Sequence, residues 1–236
     1  MQIDFSLPKL VLPFLSDRLD DFYLAGGTAL SMYYYEHRES FDLDFFTRQF
    51  SRDRVLKIVD KLKKDSGWQI HLVSEQNKEG LIGVAIYIVH IDEDKKCKLD
   101  FVEDYIEPVN PLKRVDGISI LSLEDIYMRK IFTIAGHLPA VNEIGQRVIL
   151  GGRQEAKDFY DIYCLSTITR PLSEFVEQYG NDTIKEGVVR WYQTYDRMKM
   201  KTGLLDLIIK TKPDYRLIEN HFKKEIDKLL ENIIGE

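Results

Sequence analysis

Asp42-Leu43-Asp44 is the tripeptide of this chain best suited to chemistry. On an extended strand, residues two apart point the same way, roughly 6.5 Å apart along the backbone, so the two carboxylates converge on one side. Side chains of like charge held that close repel unless a cation neutralises them. All-oxygen donors of this kind suit Mg²⁺ or Mn²⁺, hard ions that keep positions open for substrate phosphates. A pair of such ions about 3.5–4 Å apart serves phosphoryl-type transfer, activating the attacking oxygen and neutralising the leaving group. Asp-x-Asp also occurs on solvated strand faces, so its neighbours must decide between the two readings.

Upstream, a short apolar run ends in Gly26-Gly27-Thr28, after which a helix begins. Paired glycines ahead of a helix let phosphate oxygens approach backbone N–H groups at its positive end, although the same residues also make an ordinary strand-to-helix turn. Between turn and acids lies Arg38-Glu39-Ser40-Phe41. Arg38 could meet a phosphate, hold the carboxylates in place, or form a surface ion pair. A third acid comes from Lys98-Leu99-Asp100-Phe101-Val102, where Asp100 shares a face with Lys98 and Val102 and would act as general base towards an attacking hydroxyl, bridging one metal.

These side chains need rigid elements to carry them. Phe41 to Thr47 alternates with a period of two, Phe41, Leu43 and Phe45 against Asp42, Asp44 and Phe46, which predicts a strand. Phe22 to Ala25 predicts a buried strand, and Trp68 to Ser74, Leu81 to Ile91 and Cys97 to Val102 predict three more, paired as an antiparallel meander through short turns. Helices are expected from Pro8 to about Asp20, from Thr28 towards His37, and after Ser51 with Val55, Leu56, Ile58, Val59 and Leu62 inward. Past Pro108, Pro111 and Gly117 the pattern turns helical. Ser122-Leu123-Glu124-Asp125 resembles a capping box opening a helix from about Leu123 to Ala135. Gly136 to Arg153 reads as a loop, with helices near Gln154–Leu165, Pro171–Tyr179, Thr183–Arg197 and Tyr215–Ile234. The boundary falls at 121/122, giving a mixed α/β domain (1–121) and a helical domain (122–236).

Composition narrows the classes. A chain of 236 residues with 44% hydrophobic and 31% charged side chains can bury a sizeable core. The start, Met1-Gln2-Ile3-Asp4, lacks a secretory pattern, and no apolar run is long enough to cross a bilayer, so the expected location is the cytoplasm, without a membrane partner. Cys97 and Cys164 read as buried small hydrophobes, and the five histidines have no zinc spacing. Net charge is −6, so a nucleic acid would need a local basic patch; Lys185 to Lys224 holds ten Lys or Arg against five acids. Of Tyr33, Tyr34 and Tyr35, at least one is expected in the core, and another could stack on a base.

Leu24-Ala25-Gly26-Gly27-Thr28-Ala29-Leu30 and Arg38-Glu39-Ser40-Phe41-Asp42-Leu43-Asp44-Phe45-Phe46 together resemble the opening signature of the AbiEii family, toxins of type IV toxin-antitoxin systems within the polymerase-beta-type nucleotidyltransferases. In the helical half, Leu121 to Lys130 resembles the segment delivering a nucleotide-contacting lysine, and Arg153 with Lys157 to Tyr163 resembles the late Lys-Asp motif. The likeness implies an α+β fold: a polymerase-beta-like mixed sheet flanked by helices, then a C-terminal helical bundle. It further implies that Gly26, Gly27, Thr28, Arg38 and Ser40 lie along an NTP, that Asp42 and Asp44 hold metal, and that Lys130 contacts phosphate while Asp158 and Asp161 close the cleft. Read without the resemblance, Lys130 would be a solvated helix residue, and Asp158 and Asp161 a salt-bridge pair with Lys157. The implied reaction is NMP transfer from an NTP to an RNA hydroxyl, the tRNA 3′ end among the candidates, with a cognate antitoxin as partner. Kinase-like phosphotransfer, nucleotidylation of a protein, or a non-catalytic binding module remain as other classes.

Overall fold

Residues 3–136, 138–141, 147–150, 152–210 and 213–235 are described by the computed structural model of the chain. They form two compact units, 2–126 and 127–236.

In the first unit, α1 (Ser6–Leu15) buries Val11, Leu12 and Leu15. It ends five residues earlier than its apolar pattern suggests, because Asp17 and Asp20 adopt left-handed backbone conformations (φ 55° and 49°) that a helix cannot accommodate. Strand β1 (Tyr23–Ala25) is wholly buried and runs straight into α2 (Gly26–Leu30), which a π-helical turn, Ser31–Tyr35, extends. Strand β2 (Leu43–Thr47) alternates as its sequence requires, Leu43, Phe45 and Thr47 buried and Asp44 and Phe46 half-buried. The helix α3 (Arg52–Ser66) buries Val55, Ile58, Val59 and Leu62 and is closed by Gly67 at φ 72°. Strands β3 (Gln69–Gln76), β4 (Val84–His90) and β5 (Lys96–Glu103) form the expected antiparallel meander.

A hairpin that the strand patterns do not announce follows, β6 (Lys113–Val115) and β7 (Ile118–Ile120). Its two-residue turn, Asp116-Gly117, has positive φ at both positions (49° and 77°). All seven strands join one mixed sheet in the order β3-β4-β5-β2-β1-β7-β6. The pairs β1–β7 and β2–β5 are parallel, and the remaining pairs antiparallel. Phe101 anchors the core, edge-on to Phe22 at 5.3 Å and stacked with Phe45 at 5.7 Å.

Ser122 caps the next helix: its Oγ accepts from the Asp125 N–H at 3.1 Å and donates to the Asp125 carboxylate at 2.7 Å, which also accepts from the Val109 and Asn110 N–H groups. That helix is α4 (Leu123–Ala135), with the bounds its sequence predicts. The stretch expected as a loop contains a two-stranded hairpin, β8 (Leu138–Val141) and β9 (Arg147–Leu150). Each strand is only four residues long, too short to show an alternation; the rest of that loop expectation, at 137, 142–146 and 151, lies outside the described residues. Helices α5 (Ala156–Ile168), α6 (Leu172–Tyr179), α7 (Asp182–Thr194), α8 (Arg197–Asp206) and α9 (Tyr215–Gly235) complete the helical bundle. Helix α8 goes beyond the sequence reading, which carried α7 through to Arg197. Tyr195 and Asp196 break the chain there, and Asp196 caps the new helix by accepting from the Lys199 N–H at 2.9 Å. Phe159, Trp191 and Phe222 are its aromatic core, with Phe175 stacked on Tyr127 at 3.9 Å.

Candidate active site

The central strands bring the sequence-predicted acids together. Asp44 on β2 and Asp100 on β5 are register partners across a parallel pair, and Ala25, the last residue of β1, is the partner of Asp44 on its other side. Since register partners project to the same face, both carboxylates stand side by side next to the turn that starts α2. Asp42 directly precedes β2, and its carbonyl accepts from the Thr28 hydroxyl, which also meets Ser40 Oγ at 2.9 Å. Thr28 is fully buried, so this link staples the glycine turn to the acid-bearing strand.

Both glycines are explained by close approach. A Cβ on Gly26, which has φ +71°, would lie 2.9 Å from the Asp44 Cγ and nearer still to its Oδ2. One on Gly27 would collide with the guanidinium of Arg38 and come within 3.2 Å of Ser40 Oγ. Arg38 is buried, donates to the Glu39 carbonyl at 2.8 Å, and has its own carbonyl held by Ser31 Oγ. Of the three roles its sequence left open, the surface ion pair is excluded by this burial.

Electrostatics identify a shared patch of negative charge. The Cys97 thiol is pushed up to about 12, first by burial and then by Asp42, Asp100 and Asp44. Cys97 is therefore no nucleophile. Lys98 touches the Asp100 carboxylate. Burial opposes its charge, yet Asp100, Asp42 and Asp44 hold the ammonium above its ordinary range. Three carboxylates of hard oxygen donors fit a divalent cation by chemistry. Among the described residues, however, no three acidic, His or Cys side chains are drawn tightly enough to grip an ion as they stand. Sequence alone noted that Lys98 shares the face of Asp100 and assigned it no role.

The helical unit gathers the remaining candidates into a cluster of their own. Lys130 Nζ lies 2.7 Å from Asp158 Oδ1 and 2.7 Å from Asp161 Oδ2, all three buried. Arg153 adds a two-pronged grip on Asp158, with Nη2 to Oδ1 at 2.8 Å. Burial resists ionisation of Asp158, but Lys130 and Arg153 hold its carboxyl below the usual range. Lys130 is thus not a solvated helix residue, and the partners of Asp158 are Lys130 and Arg153 rather than the adjacent Lys157. The tyrosines after α2 are all half-buried, and Tyr34 is fixed by its hydroxyl to the Leu121 carbonyl at 2.8 Å. The basic stretch is partly consumed, Lys185 by Glu177, Arg197 by Glu219 and Lys199 by Glu155, and Lys212 lies outside the described residues.

Residues 14–234 match the family model described as "Nucleotidyl transferase AbiEii toxin, Type IV TA system". The chain belongs to the AbiEii nucleotidyltransferase toxin family. As an AbiEii protein it is a nucleotidyltransferase, and the family is one of toxins in toxin-antitoxin systems. A relative from Aquifex aeolicus, an uncharacterised protein, is 29% identical over 228 residues, covering 90% of each chain. Among solved structures, JHP933 from Helicobacter pylori is similar with a TM-score of 0.56 at 17% identity, covering 99% of this chain and 97% of that one. MenT4, a nucleotidyltransferase toxin from Mycobacterium tuberculosis, gives 0.52 at 14% identity, covering 94% and 82%. At these identities the structural likeness establishes the fold alone. No helix among the described residues is long and apolar enough to cross a membrane.

Proposed function

We propose that the chain transfers a nucleoside monophosphate from an NTP to a hydroxyl of RNA, the tRNA 3′ end among the candidate acceptors, as a growth-arresting toxin countered by a cognate antitoxin. The observation that carries this is the side-by-side placement of Asp44 and Asp100 beside Gly26. Asp42, Asp44 and Asp100 would hold Mg²⁺ or Mn²⁺, which when bound neutralises the triphosphate and its departing pyrophosphate.

What the chain's own residues do follows from their chemistry. Gly26 and Gly27 keep the turn free of side chains, so that a triphosphate can approach backbone N–H groups. Thr28, Ser40 and the buried Arg38 hold that turn against the strand bearing the acids, which fixes reacting groups in advance and lowers the entropic cost of the reaction. Asp100 accepts the proton of the attacking hydroxyl. The acceptor oxygen bonds to the α-phosphorus as the α–β phosphoanhydride breaks. Lys201, Lys223 and Lys224 remain exposed in the helical unit and could meet RNA phosphates.

Lys130, Arg153, Asp158 and Asp161 form a cluster in which two cations balance two carboxylates. We infer that its first role is to fix the geometry of α4 against α5, with any phosphate contact requiring Lys130 to leave one of its two acids.

The test is incubation with Mg²⁺, total RNA and each α-labelled NTP in turn. Label on RNA is the expected result. Label from the γ-phosphate would turn the assignment to a kinase, label on protein to nucleotidylation of a protein, and no transfer to any acceptor would overturn the reading.

A further inference from the structure

Lys98 is the side chain near the three aspartates whose role the proposed reaction leaves unused. It precedes Asp100 by two residues on β5, so strand geometry puts both on one face, and its Nζ contacts Asp100 Oδ2. The same ammonium lies within the electrostatic reach of Asp42 and Asp44. In the metal-free protein it therefore supplies the positive charge that three neighbouring carboxylates demand. Its side chain is 36% exposed against 14% for Asp100, so it reaches inward from the rim and has solvent to retreat into.

We propose that Lys98 is a built-in counter-ion that competes with the divalent cation for Asp100 and so sets the metal affinity of the site. This rests on the reading of Asp42, Asp44 and Asp100 as metal ligands. An ammonium and a dication cannot share one carboxylate oxygen without strong repulsion, so loading the site expels Lys98 from Asp100. A compact, strongly hydrated charge on a flexible four-carbon stem is suited to that exchange, and a lysine is able to leave where a forked arginine would remain clamped. Lys98 is thus a positioning residue. It holds Asp100 in place without metal, and weakens metal binding by the work of displacing it.

The experiment uses the full chain and Mn²⁺ alone, measured by calorimetry and by the loss of the free-ion electron paramagnetic resonance signal. Wild type, Lys98→Met, Lys98→Arg and Asp44→Asn are compared. Removing one positive charge at about 6 Å from a dication in water tightens binding about tenfold in Lys98→Met. The gain shrinks as salt is raised. Lys98→Arg binds no tighter than wild type, and Asp44→Asn loses binding. Equal or weaker binding by Lys98→Met, with Asp44-dependent binding intact in wild type, overturns the proposal and leaves the metal reading standing. Absence of Asp44-dependent binding in wild type overturns both. If Lys98→Met does not fold, wild type still decides. Mn²⁺ should raise the rate at which an amine-reactive label modifies Lys98 relative to other lysines, and an unchanged rate overturns the competition.

Discussion

Asp44 and Asp100 face each other across the parallel β2–β5 pair as direct register partners. They are 56 residues apart in sequence by their numbers, yet the sheet places their Cα atoms about 4.8 Å apart, the ordinary spacing of neighbouring strands. Two like charges at that range persist only where something positive lies close by, and here Lys98 does so.

Removing the charge of Asp44 should abolish transfer while leaving the fold intact. Asp44→Asn is isosteric and half-buried, so its thermal midpoint should stay within a few degrees of wild type. Activity with α-labelled NTP should fall roughly a thousandfold, since several kcal/mol of charge stabilisation is lost. Retention of more than a tenth of the activity would rule out Asp44 as a metal-holding residue.

Gly26 and Gly27 should each resist alanine for a different reason. Gly26→Ala forces a left-handed backbone on a residue that disfavours it and drives a methyl into the Asp44 carboxylate. Gly27→Ala keeps an unstrained backbone but pushes against the buried Arg38 guanidinium. Each should lose about 1–3 kcal/mol in urea unfolding. The first should cut activity more than stability, because the displaced atom belongs to the reaction centre, and equal effects from both would show that the turn serves folding alone.

The sheet unit and the helical unit differed in how much the sequence disclosed. Asp44 and the strand that carries it were legible because a period of two is written directly into Phe41 to Phe46, although the strand begins at Leu43 and leaves Asp42 just ahead of it. The helix cap at Ser122 was legible for the same reason, a local rule with a local signature. What stayed hidden depended on partners far along the chain. The β6–β7 hairpin carried a cue in Asp116-Gly117, a dipeptide favouring a two-residue turn, but its strands are only three residues long and give no alternation to read. Helix α8 buries only Met200 and Leu204, too few for a periodic face. Pairing of Lys130 with Asp158 and Asp161 follows from packing within the helical unit, which no spacing rule encodes. The counter-ion Lys98 was written two places before Asp100, and only the parallel register that brings Asp44 alongside shows why it matters.

Lys130 should be a stability determinant first. Truncating it to Met leaves Asp158 and Asp161 buried without the ammonium they share, while Arg153 still holds Asp158. Breaking a buried ion pair from one side costs about 3–5 kcal/mol. The triple variant Lys130→Met, Asp158→Asn, Asp161→Asn should recover part of that loss, because it removes the stranded charges. A Lys130→Met protein as stable as wild type would mean that the cluster does not support the fold.

Acid should loosen the helical unit through Asp158. Burial raises the cost of its charge, but Lys130 and Arg153 outweigh it and hold the folded carboxyl below the ordinary 3.8. A carboxyl with a depressed folded pKa contributes stability that is fully present above its unfolded value and lost as pH falls through its folded value. Glu225 acts in the same direction: burial opposes its charge, and the Ser173 N–H and hydroxyl, with Lys228, hold it below its ordinary 4.5. Unfolding midpoints of wild type should therefore fall steeply below about pH 4, after a milder loss below about pH 6.5 where His221, held neutral by burial, favours the unfolded chain that can protonate it. The variant Asp158→Asn should start lower at neutral pH, because Lys130 and Arg153 lose a charged partner, and should converge on wild type in acid. Curves that remain parallel down to about pH 3 would show that Asp158 is not the group whose protonation undoes the cluster.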